Sequence, residues 1–188
     1  MDLARKRAAV FGLADRIRFC AGNAEQLSAF VPPERYDLIY SFGVIHHTPH
    51  PDRIIDQVRR NYLKPGGTFK VMVYHRNSWK VMGVLVTEAR GAVWRLDEAI
   101  ARNSEAQTGC PITYAYRRSD VPRLMTGFEL DDVFVEHIFP YRVADYVQYR
   151  YVKAIPFRWL PDNVMRALRR ALGWHLCITA RLPGMSEI

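Results

Sequence analysis

Residues 36–41 (Tyr-Asp-Leu-Ile-Tyr-Ser) form a compact apolar run that ends at Phe42 and Gly43. Beyond it, Ile54, Ile55, Val58 and Tyr62 recur at helical spacing behind Pro51 and Asp52, residues suited to open a helix. Lys64-Pro65-Gly66-Gly67 then breaks the pattern, and residues 68–74 run on as continuous β-type sequence. Strand, helix, Gly-rich turn and strand in that order predict a parallel α/β unit. The run at 36–41 reads as a strand buried on both faces.

The flanks are patterned less regularly. Residues 1–11 suit a helix that stops at Gly12, and residues 17–21 alternate as a short strand entering a turn at Gly22 and Asn23. Residues 79–102 read as helix in two pieces around Gly91, and residues 108–116 as a loop. Ser119, Asp120 and Pro122 open a short helix closed by Gly127, followed by a β-like stretch at 128–139. An amphipathic helix is expected at 163–172. A strand is expected at 174–182, where Trp174, Leu176, Ile178, Ala180 and Leu182 alternate with polar neighbours.

Composition narrows the class. The chain has 188 residues, of which 49% are hydrophobic and 24% charged, proportions of an ordinary globular domain with a real core. The longest aliphatic run, within residues 81–86, is too short to span a bilayer, and the first residues carry no export-signal pattern. Cys20, Cys110 and Cys177 are scattered and form neither a disulfide framework nor a metal knuckle. A reducing, cytoplasmic setting is the expectation.

Parallel α/β sheets hold ligands at the carboxyl ends of their strands. Here those ends are residues 21–25, 41–47 and 74–77, where unusual polar side chains collect. Three segments in order resemble class I S-adenosylmethionine-dependent methyltransferases: residues 18–25, residues 36–51 with Phe42-Gly43-Val44-Ile45-His46-His47-Thr48-Pro49, and residues 63–68. The resemblance implies a Rossmann-like sheet with helices on both faces, S-adenosylmethionine as cofactor, and methyl transfer to a small or lipid-like acceptor. It places Asn23, Ala24 and Glu25 at the adenine and Ser41, Phe42 and Gly43 along the methionine part. Asn23 stands where the family usually has aspartate, yet offers a carbonyl acceptor; it suits an Asx-turn equally well.

His46 and His47 fall near the transferred methyl by the same resemblance, with Tyr74, His75 and Asn77 on the rim after the next strand. A histidine there could act as general base or orient the acceptor. Shaping the loop by hydrogen bonds to backbone is an equal reading. A metal site is not expected, because the histidines lack carboxylate or thiolate partners.

The family's Gly-rich loop after its first strand, and the acidic residue that grips the ribose, find no counterpart; no Gly-x-Gly-x-Gly occurs. The resemblance therefore implies a sheet lacking its first two strands, from an N-terminally truncated reading of a longer methyltransferase. Exposed apolar edges are then expected. The alternative is a catalytically inert fragment, or a half-domain whose partner supplies the missing strands.

Between residues 141 and 181 eight basic residues face two acidic ones, so most of the net charge of +8 is local. Tyr141, Tyr146, Tyr149, Tyr151, Phe157 and Trp159 are interleaved with them. The region reads as a substrate-covering insertion with a solvated basic face, or as a peripheral patch for an anionic membrane surface. Nucleic acid has least support, since no RNA- or DNA-binding module accompanies the charge. The expected organisation is one domain: a cofactor-side α/β core at 1–78, a helical segment and strand at 79–138, a basic aromatic insertion at 139–172, and a closing strand at 173–182.

Overall fold

A computed structural model describes residues 1–88, 90–102 and 112–184. Among them, five strands join in one sheet: β1 (Tyr36–Phe42), β2 (Leu63–His75), β3 (Ala115–Tyr116), β4 (Glu129–Glu136) and β5 (His175–Arg181). Their order is β1-β2-β5-β4, with β3 pairing the end of β2. β1 and β3 run parallel to β2, whereas β5 is antiparallel to both its neighbours. The helices are α1 (Asp2–Val10), α2 (Pro51–Gln57), α3 (Trp79–Thr87), α4 (Leu96–Arg102) and α5 (Val121–Leu124). One-turn helices α6 (Val143–Tyr146) and α7 (Ile155–Arg158) precede α8 (Asp162–Leu172).

The apolar run in β2 divides between two cores because successive side chains leave opposite faces of a strand. Phe69, Val71 and Val73 pack with Ile54, Ile55 and Val58 around α2, and with Val121 and Met125 from α5. Met72 and Tyr74 pack on the other face with Val81, Val84, Leu96, Ala99, Ile100 and Trp174, from α3, α4 and the start of β5. Each such aliphatic side chain contributes roughly 1.5–3 kcal/mol on burial. Helices thus cover both faces, as a Rossmann-like sheet requires.

Four local expectations are corrected. Residues 17–21 are extended, with Ile17 at φ −124° and ψ 122°, but enter no ladder. Alternation sets a backbone conformation, whereas a strand needs a partner for its N–H and C=O groups. β1 is not buried on both faces: Leu38, Tyr40 and Phe42 are 55%, 63% and 49% exposed. The helices α3 and α4 cover that face only near Met72 and Tyr74, so the row on β1 stays open. The break at residues 64–67 is a bulge within β2, since Tyr36 pairs with Leu63 and Leu38 with Thr68. Part of the stretch expected as loop at 108–116 also forms a strand, Ala115 and Tyr116 pairing with Tyr74 and His75; residues 108–111, with Cys110, lie outside the described residues.

Candidate functional site

β1 ends at Phe42, and the φ of +71° at Gly43 turns the chain sharply out of the sheet. Its N–H still donates to the Met72 carbonyl at 3.3 Å, which fixes the turn against β2. The following short helical turn, Ile45–His47, sinks Ile45 and His46 completely. Tyr114 N–H donates to the His46 carbonyl at 2.9 Å, and the Thr48 hydroxyl donates to the Ile45 carbonyl at 2.9 Å.

This turn delivers a stack of rings. His46 lies 4.1 Å from His47 and 4.0 Å from Tyr74, centroid to centroid. Tyr74 in turn stacks on Trp174 at 4.0 Å, and the Lys80 ammonium sits 4.6 Å from the Trp174 ring centre. A second series runs from Phe42 to His175 at 5.4 Å and on to His137 at 4.4 Å. Beyond both lies a cavity of about 360 Å³ lined by Trp79, Lys80, His137, Ile138, Phe139, Leu172 and Trp174.

The histidines differ in chemistry. Burial, followed by the nearby His47 and His175, pushes the His46 pKa down to about 3. Neither of its ring nitrogens has a hydrogen-bond partner among the described residues. His46 is therefore neutral at ordinary pH and does not take up a second proton there. His47 keeps its Nδ1 3.1 Å from the Thr113 hydroxyl, a contact in which the tautomer decides which group donates. His75 points away: adjacent strand residues face opposite sides, and its Nδ1–H donates to the Gly173 carbonyl at 3.1 Å. Burial holds its pKa below the usual histidine range.

His46, His47 and Tyr74 thus come together, and His75 does not share their rim. Asn23 accepts from the Glu25 N–H at 3.0 Å, so the Asx-turn is formed; a carbonyl oxygen retains a second lone pair. Ala24 packs on the core beneath. The Glu25 carboxylate, its side chain 8% exposed, accepts the His50 N–H at 2.8 Å and lies 3.8 Å from Arg53. It braces the turn at 24–29 against the start of α2. Ser41 is half-buried, and Phe42 is exposed at the open end of β1. Among the described residues no three His, Cys, Asp or Glu side chains converge on a metal position.

A family model described as a methyltransferase domain matches residues 1–129. The chain belongs to the methyltransferase-domain family. One of two curated relatives is itself a methyltransferase. The chain is 30% identical over 146 residues to an uncharacterised protein of a Synechococcus strain, an alignment covering 72% of this chain and 33% of the relative. It is 32% identical over 108 residues to the ubiquinone/menaquinone biosynthesis C-methyltransferase UbiE of Bartonella bacilliformis, covering 56% of this chain and 40% of that protein. The chain thus spans a third to two-fifths of the length of these relatives.

Solved structures repeat the fold of this methyltransferase domain. The [4+2]-cyclase SpnF superposes with a TM-score of 0.56 at 19% identity, covering 97% of this chain and 62% of the cyclase. An O-methyltransferase family protein from Burkholderia thailandensis gives 0.53 at 13% identity, with 98% of this chain and 41% of that one covered. At such identities only the fold is shared. A cyclase among the neighbours means that the reaction must be argued from the site.

The sequence reading missed the cavity, because its walls come from the start of α3, the stretch after β4, the end of α8 and Trp174 just before β5. Trp79 and Lys80 were legible as the residues just past the rim at 74–77. Phe139 and Trp174 carried a strand pattern but no signal that pointed to a cavity.

Proposed function

We propose that this methyltransferase domain transfers a methyl group from S-adenosylmethionine to a small or lipid-like acceptor seated in the Trp79/Trp174 cavity. The observation that carries the reading is the continuity of the His46/His47/Tyr74 cluster with that apolar cavity, through the Tyr74–Trp174 stack. Ligand sites of this size are typically apolar with few polar groups, and this one offers Lys80 and His137.

The residues present fit two ends of the cofactor. Asn23 has acceptor capacity left for an adenine amine. The left-handed Gly43 leaves the strand end open, a Cβ there meeting only the Met72 methyl at 3.6 Å. Ser41, Phe42 and Gly43 would hold the methionine part. The Glu25 carboxylate is already engaged by His50 and Arg53, so it is not the ribose-binding acid.

When bound, S-adenosylmethionine supplies a sulfonium-activated methyl for in-line displacement and leaves as the neutral thioether. The chain's own work is positioning: the ring stack and cavity wall fix the acceptor's plane and exclude water. An acceptor that attacks through O–H or an acidic C–H must lose a proton. Of the two histidines His47 is the one to take it, since burial disfavours a second proton on His46.

A second reading is favoured by the open row Leu38, Tyr40 and Phe42: a domain that is inert until another chain covers that face. Titration calorimetry of the 188-residue chain with S-adenosylmethionine separates the two. Micromolar binding, weakened by Asn23→Ala, supports methyl transfer. Absence of heat with a folded chain overturns the first reading in favour of the second.

A further inference from the structure

The stretch between β4 and α8 is a built structure. Phe139, Tyr141, Tyr146 and Tyr151 pack ring on ring, with Phe139 to Tyr146 at 4.8 Å and Tyr141 to Tyr151 at 5.5 Å. Tyr141 and Lys153 form an isolated bridge; Arg142 N–H donates to the Val152 carbonyl and Ala154 N–H to the Pro140 carbonyl, at 2.9 and 2.8 Å. Asp145 lies within 3.2 Å of both Arg142 and Arg150. Such bracing means the loop holds its shape before any partner arrives.

Out of this scaffold project side chains that water does not favour. Tyr149 is 85% exposed, Ile155 82% and Trp159 81%. Ile155 opens the single turn of α7 and Trp159 caps its end, so the two exposed side chains flank one turn. Phe157, between them, turns inward and contacts Trp79 at 6.1 Å, edge to face. The turn thus buries one apolar residue and presents two, with the Arg158 guanidinium 5.3 Å over the Trp159 ring. Lys153 and Arg158 are exposed beside them, and the only acid of residues 141–160, Asp145, is neutralised by its two arginines.

We infer that the α7 turn, through Ile155, Trp159, Arg158 and Lys153, docks the protein on an anionic lipid bilayer. An apolar tip ringed by cations is complementary to a membrane interface, where tryptophan sits at headgroup level and cations meet anionic lipid. Tyr149 and Trp159 are also open to stacking, but an aliphatic tip such as Ile155 gains nothing from a base, and Tyr141, Tyr146 and Tyr151 pack on one another, so the bilayer is favoured over nucleic acid. The contact between Phe157 and Trp79 sets this tip next to the wall of the cavity. An amphipathic acceptor could then pass from bilayer to cavity without crossing bulk water. That last consequence rests on the proposed methyl transfer; the docking does not.

The test is co-sedimentation of the full chain with vesicles of phosphatidylcholine alone, or with a quarter of phosphatidylglycerol. Binding is expected to the anionic vesicles only, weakening as salt rises, with a blue shift of tryptophan emission that is lost in Trp159→Ser. Lys153→Gln and Arg158→Gln should each weaken binding about fivefold, and Ile155→Ser by tenfold or more, with unchanged circular dichroism because all three are exposed. Equal binding to neutral vesicles, no binding to either, or retention of full affinity in the Ile155→Ser/Trp159→Ser double variant overturns the inference. So does tighter, Trp159-dependent binding to single-stranded RNA, or self-association through the same residues in sedimentation velocity. None of these readouts uses the cofactor, so failure here leaves the methyl-transfer reading standing.

Discussion

Tyr74 lies between His46 and Trp174, and its contact with His46 brings the two ring centres to 4.0 Å. The imidazole is fully buried there and both its nitrogens lack partners among the described residues. A ring in that setting behaves as a packing element that happens to carry a titratable group.

Its titration has a definite sign. The folded pKa of about 3 is below the unfolded value of 6.5, so the unfolded chain binds a proton that the folded chain refuses. Stability should be full above pH 6.5 and fall as pH drops towards 3. Between pH 7 and pH 5 this one group should remove about 2 kcal/mol. Urea unfolding of the parent and of His46→Phe at both pH values checks it. The variant should be at least as stable at pH 7, having lost two unpaired buried nitrogens, and show a shallower acid slope. His75 shifts in the same direction and contributes equally to both proteins. An unchanged slope would show that His46 is hydrated or paired in solution.

Glu25 should matter for stability before it matters for ligand. Its carboxylate is nearly buried and accepts the His50 N–H that opens α2. Glu25→Ala leaves that donor unpaired and should cost roughly 1–3 kcal/mol. Glu25→Gln keeps an acceptor and should cost less than half as much. Thermal melts of the two variants read the difference. Equal destabilisation would mean that the ion pair with Arg53 dominates instead.

The open face of β1 predicts self-association. Leu38, Tyr40 and Phe42 form an exposed apolar row on an edge strand, a template for pairing with another chain. Leu38→Lys with Tyr40→Lys should raise the concentration at which light scattering appears, with little change in melting temperature. A pair of variants that aggregates like the parent would place the contact elsewhere.

Much of this architecture was legible because local pattern and tertiary role coincide. The run at 71–74 is apolar on both sides because helices cover both faces there, Thr68 and Lys70 lie where the second face is open, and the alternation at 174–182 matches a strand packed mainly on one. The failures are positional. Residues 17–21 have strand-like alternation, but pairing is a property of a neighbour, which no local pattern records. Tyr74 and His75 were placed on one rim because they are adjacent in sequence, yet the pleat sends them to opposite faces. The cavity unites residues nearly a hundred positions apart, and only folding brings Trp79 to Trp174.

Gly173 tests how tightly α8 is seated against β4. A Cβ there would fall 2.3 Å from the Glu136 carbonyl oxygen and 2.4 Å from that of Arg169, both backbone atoms that cannot swing aside. Gly173→Ala should therefore destabilise by about 1–3 kcal/mol or more. It should also displace the carbonyl that accepts from His75, lowering the His75 pKa further as that supporting bond is lost. Gly83 gives the opposite case on the same fold. It lies inside α3, nothing stands within 4 Å of its missing Cβ, and its backbone is helical. Gly83→Ala should stabilise by up to about 1 kcal/mol through helix propensity. Chemical denaturation of both variants, with the His75 ring titrated by NMR, decides the matter: equal small effects would show that the α8–β4 junction yields, and that Gly173 is there for no steric reason.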